Sequence, residues 1–328
     1  MKHVNETSRR SGLLACFGGV NMDLHIQSSV PVILHDSNPG KIHTSPGGVM
    51  RNIAENCARL GCAPVLLSAV GEDALGDRIR RYSEHAGVDM SRIFLHPSCP
   101  TSCYMAFMDE DGDMLVAAND MRIMDLIPDS YLPQNADVLR SADAILCDAN
   151  PPAERIAQLA DLAAGTPIFA DPVSVAKGSK FLSVLDKLHL LKPNRIELQN
   201  LSGMPCGTDE EIRSAAASLL DKGLQAVAVS LGSSGCYYAD RSGRSFFRRL
   251  KPVEDMANAT GAGDAFMAGL ACAFVQGAQP EDMVDYALAC GLIAVQSEDT
   301  INPRMSDALV RSTWGQVHCD RKENSNGS

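Results

Sequence analysis

No Gly-x-x-x-x-Gly-Lys-Ser/Thr stretch occurs in this 328-residue chain, which argues against a P-loop nucleotide site. The first apolar run leads into Gly18-Gly19-Val20-Asn21, which does not fit the Gly-x-Gly-x-x-Gly fingerprint of a dinucleotide fold. Cationic residues are in the minority, 29 Lys and Arg against 40 Asp and Glu, for a net charge of −11. Nucleic acids and anionic membranes demand a basic face, so neither is expected as a partner. An anionic small molecule would have to be met locally, by backbone amides, a few cations and Mg²⁺. Long apolar runs are also missing: Met1 to Gly12 is polar and mixed in charge, and no stretch approaches a membrane span, so a cytosolic protein is expected. The 11 cysteines contain no Cys-x-x-Cys, and the closest pair, Cys99 and Cys103, lacks a second pair or a histidine cluster. Reduced thiols are expected, many of them, such as Cys57, Cys147, Cys272 and Cys290, within apolar patterns. The eight histidines are dispersed, and there is no internal repeat.

What is present is ordinary globular composition, 45% apolar and 21% charged, enough for one large core or two modest ones. Short apolar runs (Leu13 to Phe17, Val65 to Val70, Ala144 to Cys147, Pro167 to Ala170, Ala226 to Ser230) alternate with helical patterns. That alternation predicts an α/β fold with a mainly parallel sheet covered on both faces. In such sheets ligands gather beyond the carboxyl ends of the strands, and Asn150, Asp171, Leu191-Lys192-Pro193-Asn194 and Ser230-Leu231-Gly232 all follow strands. Residues 24–45 and 95–122 break the alternation with extended, turn-punctuated segments, including a hairpin turn at Asp109 to Asp113. They are expected to form a small inserted β-sheet. The core then comprises 12–23, 46–94 and 123–313, with flexible termini at 1–11 and 314–328.

The most chemical stretch is Asn258-Ala259-Thr260-Gly261-Ala262-Gly263-Asp264-Ala265-Phe266, which opens an apolar small-residue helix. Gly261 and Gly263 let backbone N–H groups approach an anion, and the helix start adds its partial positive charge. Asp264 stands where a carboxylate could take a proton from an attacking hydroxyl while the amides, with Ala262 between the glycines, stabilise a transferring phosphoryl group. A plain helix start with an N-terminal carboxylate would look the same in isolation. A second motif lies about 200 residues upstream, Gly47-Gly48-Val49-Met50-Arg51-Asn52 to Gly61.

Together these two segments resemble the signatures of the PfkB, or ribokinase-like, carbohydrate kinases, and the resemblance runs from Leu13 to about Arg304. Within the family the likeness is closest to the pseudouridine-kinase group, through Asp36 to Ile42, Pro46 to Asn52, Met114 to Met121, Asp171-Pro172-Val173-Ser174 and Leu191 to Arg195. The resemblance implies a three-layer sandwich whose small sheet is a lid that also pairs two subunits, with ATP and Mg²⁺ as cofactors and a free nucleoside as acceptor. It further implies that Asp23, with Asn21 beside it, binds ribose hydroxyls, helped by Gly47, Gly48 and Asn52. Asn150 and Asp171 are placed with the substrate. Lys177 either neutralises the moving phosphoryl group or is an exposed lysine. Asn194 and Glu197 would organise water-bridged Mg²⁺ and the triphosphate, or simply cap a helix. Ser230, Gly232 and Gly235 resemble the nucleotide loop, with Thr260 and Asn258 alongside. The family signature begins with Asp where this chain has Asn258, which leaves K⁺ activation open. Ser45, Thr101, Ser102 and Asn119 are candidates for reading the base. Another nucleoside or sugar as acceptor, and a catalytically silent binding protein, remain alternatives.

Overall fold

The computed structural model describes residues 12–250 and 260–314. Its main sheet has eight strands, in the order β14 (Ser245–Arg248), β13 (Cys236–Asp240), β12 (Ala226–Ser230), β11 (Leu190–Leu191), β10 (Ile168–Asp171), β9 (Ala144–Asp148), β1 (Leu13–Phe17) and β4 (Ala63–Leu67). From β12 to β4 every pairing is parallel; β13 and β14 add an antiparallel hairpin at one edge. The parallel strands are almost wholly buried, as continuous apolar runs require when helices cover both faces. Alternate residues of the same strands supply two cores: Leu14, Cys16, Leu146 and Phe169 face one, Ala15, Phe17, Ile145 and Ala170 the other. Full burial of each such Leu, Ile or Phe contributes about 1.5–3 kcal/mol.

The Ala262–Val275 helix is apolar on all sides, with Ala265 to Ala273 buried. It packs between α1 (Val49–Arg59) and the Pro280–Ala294 helix, which anchors its N-terminus against the carboxyl edge of the sheet. Among the described residues, no helix is long and apolar enough to cross a membrane.

A separate four-stranded sheet, β3 (Gly40–Gly47), β2 (Asn21–Ser28), β7 (Cys103–Met108) and β8 (Met114–Asp120), is built from the two stretches that interrupt the alternation. It extends past the expected 24–45 segment at both ends, starting at Asn21 and ending at Gly47, the first residue of the upstream motif. Conversely, β6 (Phe94–His96) pairs with β5 (Ala69–Gly71) and not with this sheet. Asp109 to Asp113 turns the β7–β8 hairpin, with Asp109 Oδ1 accepting from Asp111 N–H (3.0 Å) and Asp113 N–H (2.8 Å).

Candidate active site

The carboxyl ends of four neighbouring strands converge on the start of the Ala262–Val275 helix. Gly18-Gly19 follows β1, Asp148 ends β9, Asp171 ends β10 and Lys192 follows β11. Gly261 opens the helix at φ 82°, where a side chain would meet the Thr300 carbonyl at 2.0 Å, so only glycine permits this entry. Asp264 lies in the first turn. Its Oδ2 accepts from Asn52 Nδ2 at 2.8 Å, an interaction that bridges α1 and the Ala262–Val275 helix. Burial, then the nearby Asp171 charge, push the Asp264 carboxyl up to about 7, against the lowering effects of Asn52 and Lys192. A carboxylate so poised can take up a proton near neutral pH.

Asn52, expected to reach sugar hydroxyls, instead spends one amide hydrogen on Asp264, while its carbonyl oxygen accepts from Arg51. Arg51 is fully buried. It donates to Glu55 Oε2 at 2.6 Å and to the Gly47 carbonyl at 3.3 Å, and Glu55 also accepts from Arg59 at 2.7 Å. Arg51 therefore orients Asn52, a role the sequence did not single out although the residue stands inside the quoted motif.

Lys192 is the second omission. Buried at 6% exposure, its Nζ meets Asp171 Oδ2 at 2.9 Å. Burial works to lower its pKa, but Asp171, Asp264 and Glu197 outweigh that and raise it. A lysine directly after the apolar pair Leu190-Leu191 was the available signal. Asp148, the third, is fully buried, accepts from Gly19 N–H (2.8 Å) and Asn150 Nδ2 (3.0 Å), and is pushed up to about 6, by burial above all. Lys177 is half-buried and donates to Asn150 Oδ1 at 2.7 Å, so it is tied into this chain of polar contacts and is not a free surface lysine.

Two cavities flank the helix start. One, of about 480 Å³, is lined by Asp23, His25, His43, Ser45, Tyr104 and Thr260 among others. Asp23 Oδ1 accepts from Asn21 Nδ2 at 2.5 Å, and burial raises its carboxyl pKa. The backbone of Gly47 lies so close that a Cβ would stand 2.0 Å from Asp23 Oδ2. Gly48 caps α1 through its carbonyl, which accepts from Asn52 N–H at 2.9 Å. Strand register places Ser45, Asp23, Tyr104 and Asn119 in one row across the small sheet. His25 and His43 form the next row on that face. Neither histidine nor Tyr104 was anticipated, because nothing but register brings them together.

The other cavity, of about 280 Å³, is lined by Ser230, Gly232, Gly235, Leu250, Ala262, Gly263, Phe266, Leu288, Leu292 and Val295, a largely apolar slot beside a glycine-rich turn. No described residue lines both cavities. Thr260, grouped beforehand with the nucleotide loop, lies on the Asp23 side. Asn258 lies outside the described residues.

Thr101 requires a correction. It precedes β7, and its hydroxyl donates to Asp73 Oδ1 (2.7 Å) and accepts from Gly71 N–H (3.0 Å), completing the start of α2 (Ala74–His85). Its hydrogen and one lone pair are thereby used, and Thr101 lines neither cavity. Ser102 is buried and lines neither cavity. Asn194 and Glu197 form a capping box on the Arg195–Ser202 helix: Asn194 Oδ1 accepts from Glu197 N–H at 2.9 Å and Glu197 Oε2 from Asn194 N–H at 2.8 Å. Glu197 is nonetheless buried at 6% exposure, within electrostatic reach of Asp171 and Lys192.

The sequence profile of the pfkB family carbohydrate kinases matches residues 11–308. The pseudouridine kinase of Escherichia coli strain K12 is 39% identical over 95% of this chain and 99% of its own. An uncharacterised sugar kinase of the same organism, YeiI, is 34% identical over 88% of this chain and 80% of its own. Among solved structures, Arabidopsis thaliana ribokinase complexed with ribose and ATP superposes with a TM-score of 0.85 at 25% identity, covering 93% of this chain and 99% of that one.

Proposed function

The chain belongs to the pfkB family of carbohydrate kinases and has the ribokinase-like fold, and we propose that it transfers the γ-phosphoryl group of ATP to the 5′-hydroxyl of free pseudouridine. The observation that carries this reading is the position of Asp264, at the head of a helix flanked by two cavities that share no described lining residue, one polar and ringed by Asp23, the other apolar and glycine-edged. The polar cavity suits a ribosyl compound, since a carboxylate such as Asp23 accepts from two vicinal hydroxyls together. The apolar slot suits an adenine ring, with the Ser230 to Gly235 turn beside it for the sugar and phosphates. Likeness over nearly full length to the E. coli pseudouridine kinase supports the acceptor; likeness to YeiI and to a ribokinase keeps another nucleoside or sugar as the second reading.

In the proposed mechanism Asp264 removes the proton of the 5′-hydroxyl as its oxygen attacks phosphorus. Asn52, held by Arg51, fixes the carboxylate. The N–H groups from Gly261 to Gly263 and the helix start stabilise the charge on the transferring group, and Lys192 stands at 3.4 Å from where a Gly263 side chain would be. Mg²⁺ fits the capping box: Glu197 Oε2 is spent on backbone while the other carboxylate oxygen can hold a metal-bound water. When bound, Mg²⁺ would supply charge neutralisation for the triphosphate.

Homodimer formation through the small sheet is part of the same reading. Its second face carries a row of Ile42, Ile26, Phe107 and Val116, with Ile42 67% and Val116 63% exposed, an apolar surface that pairing would cover.

The test is a panel of pseudouridine, uridine, inosine and ribose with ATP. Pseudouridine should give the highest kcat/KM, and a comparable rate on uridine would defeat the assignment.

A further inference from the structure

Eight residues beyond Asp264, the same helix carries Cys272, whose Sγ lies 3.1 Å from Cys62 Sγ. Cys272 is buried and Cys62 only partly so, which makes Cys62 the more exposed residue of the pair. Cys62 sits in the turn after α1 and is fixed to that helix, its N–H donating to the Cys57 carbonyl at 3.0 Å. Neither thiol takes part in the phosphoryl-transfer geometry.

We propose that Cys62 and Cys272 form a thiol pair that a hydroperoxide converts into an internal disulfide, joining the end of α1 to the helix that bears Asp264. Cys62 is the attacking thiol, being the more exposed one. The Cys272 contact holds its pKa below the ordinary thiol range, against burial and the Asp143 and Asp307 charges. Cys62 thiolate attacks the terminal O–H oxygen of the peroxide and breaks the O–O bond, releasing hydroxide from hydrogen peroxide or alkoxide from an organic hydroperoxide, so sulfur is oxidised to a sulfenic acid and the peroxide is reduced. Cys272 sulfur then attacks Cys62 sulfur and gives up its proton; the S–S bond forms, the S–O bond breaks and water leaves.

Closing the bond draws the sulfurs about 1 Å nearer, to about 2.05 Å. The Asn52–Asp264 hydrogen bond joins the same two helices. Since a misplacement of ~1 Å at reacting groups can cost about 10²-fold, turnover of the oxidised enzyme should fall about tenfold or more.

The experiment treats the full chain with hydrogen peroxide, then digests it without reduction for peptide mapping and assays ATP turnover with pseudouridine. A linked Cys62–Cys272 peptide is expected, lost on adding dithiothreitol, absent from Cys62→Ser and retained in Cys57→Ser. Turnover should recover with dithiothreitol, and Cys62→Ser should keep its rate through the treatment. Cys62 recovered as a free thiol, as a sulfinic acid or joined to Cys57 overturns the pair, whatever substrate the enzyme uses. A linked protein of undiminished rate overturns its coupling to the catalytic helix, an arm that rests on the proposed function.

Discussion

The substitution Asp264→Asn should abolish turnover yet make the protein more stable at pH 8. Folded, this carboxyl titrates near 7; its ordinary value is 3.8. Below 3.8 both states hold the proton and the group contributes nothing to the pH dependence. Between 3.8 and about 7 the unfolded chain ionises first, so unfolding releases a proton and stability falls as pH rises. Above about 7 the loss is complete. A shift of this size corresponds to roughly 4 kcal/mol, and because Asp264 keeps partial access to cleft water, about 2 kcal/mol is the realistic figure. The amide of the variant would carry no charge, face no repulsion from Asp171 and still accept from Asn52. Urea unfolding of both proteins at pH 4 and pH 8 measures the difference: a variant more stable by about 1–3 kcal/mol at pH 8, with the gap closing toward pH 4. Equal stability at pH 8, or a gap independent of pH, would refute the account of a carboxylate held against its solvation preference.

Three further outcomes follow from the site. With Asp264 as base, kcat/KM for the nucleoside should fall as pH drops below about 7, and Asn52→Ala, which removes a contact that lowers the Asp264 pKa, should move that acid limb to higher pH; an unmoved limb would detach Asn52 from Asp264. Gly47→Ala should raise nucleoside KM about tenfold or more while kcat changes less, because the new methyl displaces the Asp23 carboxylate, as isothermal titration with the nucleoside would also register. Lys192→Met leaves Asp171 buried without its cation and should cost about 3–5 kcal/mol, read by thermal unfolding at pH 8; a loss under about 1 kcal/mol would mean the buried ion pair is dispensable to the fold.

The strands of the main sheet were legible because burial on both faces leaves uninterrupted apolar runs, and the helix start was legible because its entry at positive φ against the Thr300 carbonyl restricts Gly261 to glycine. Asp148 escaped notice, and Lys192 was named only as part of a motif and given no role, for the opposite reason. Each is one polar residue at the end of an apolar strand, and only strand order shows that their ends meet. Asn52 was recognised as part of a motif, but its contact with Asp264 was not, since it spans 212 residues of sequence. The face that carries Asp23, Tyr104 and the two histidines depends on pairing register, which a one-residue slip would invert. Thr101 looked like lid and proved to be a brace for α2, a distinction of two residues in where the strand begins.

The separate linings of the two cavities bear on the order of events. On the proposed reading donor and acceptor would occupy chambers with no described lining residue in common, so either could arrive first without blocking the other. Initial-rate plots against both concentrations should then intersect, as a ternary complex requires, and dead-end inhibition should show that either substrate can bind first, where a shared doorway would force a compulsory sequence. The same separation exposes the donor to wasteful hydrolysis whenever the acceptor chamber holds only water. On that reading the small sheet, whose residues line the polar cavity, would be the element that keeps water from the donor.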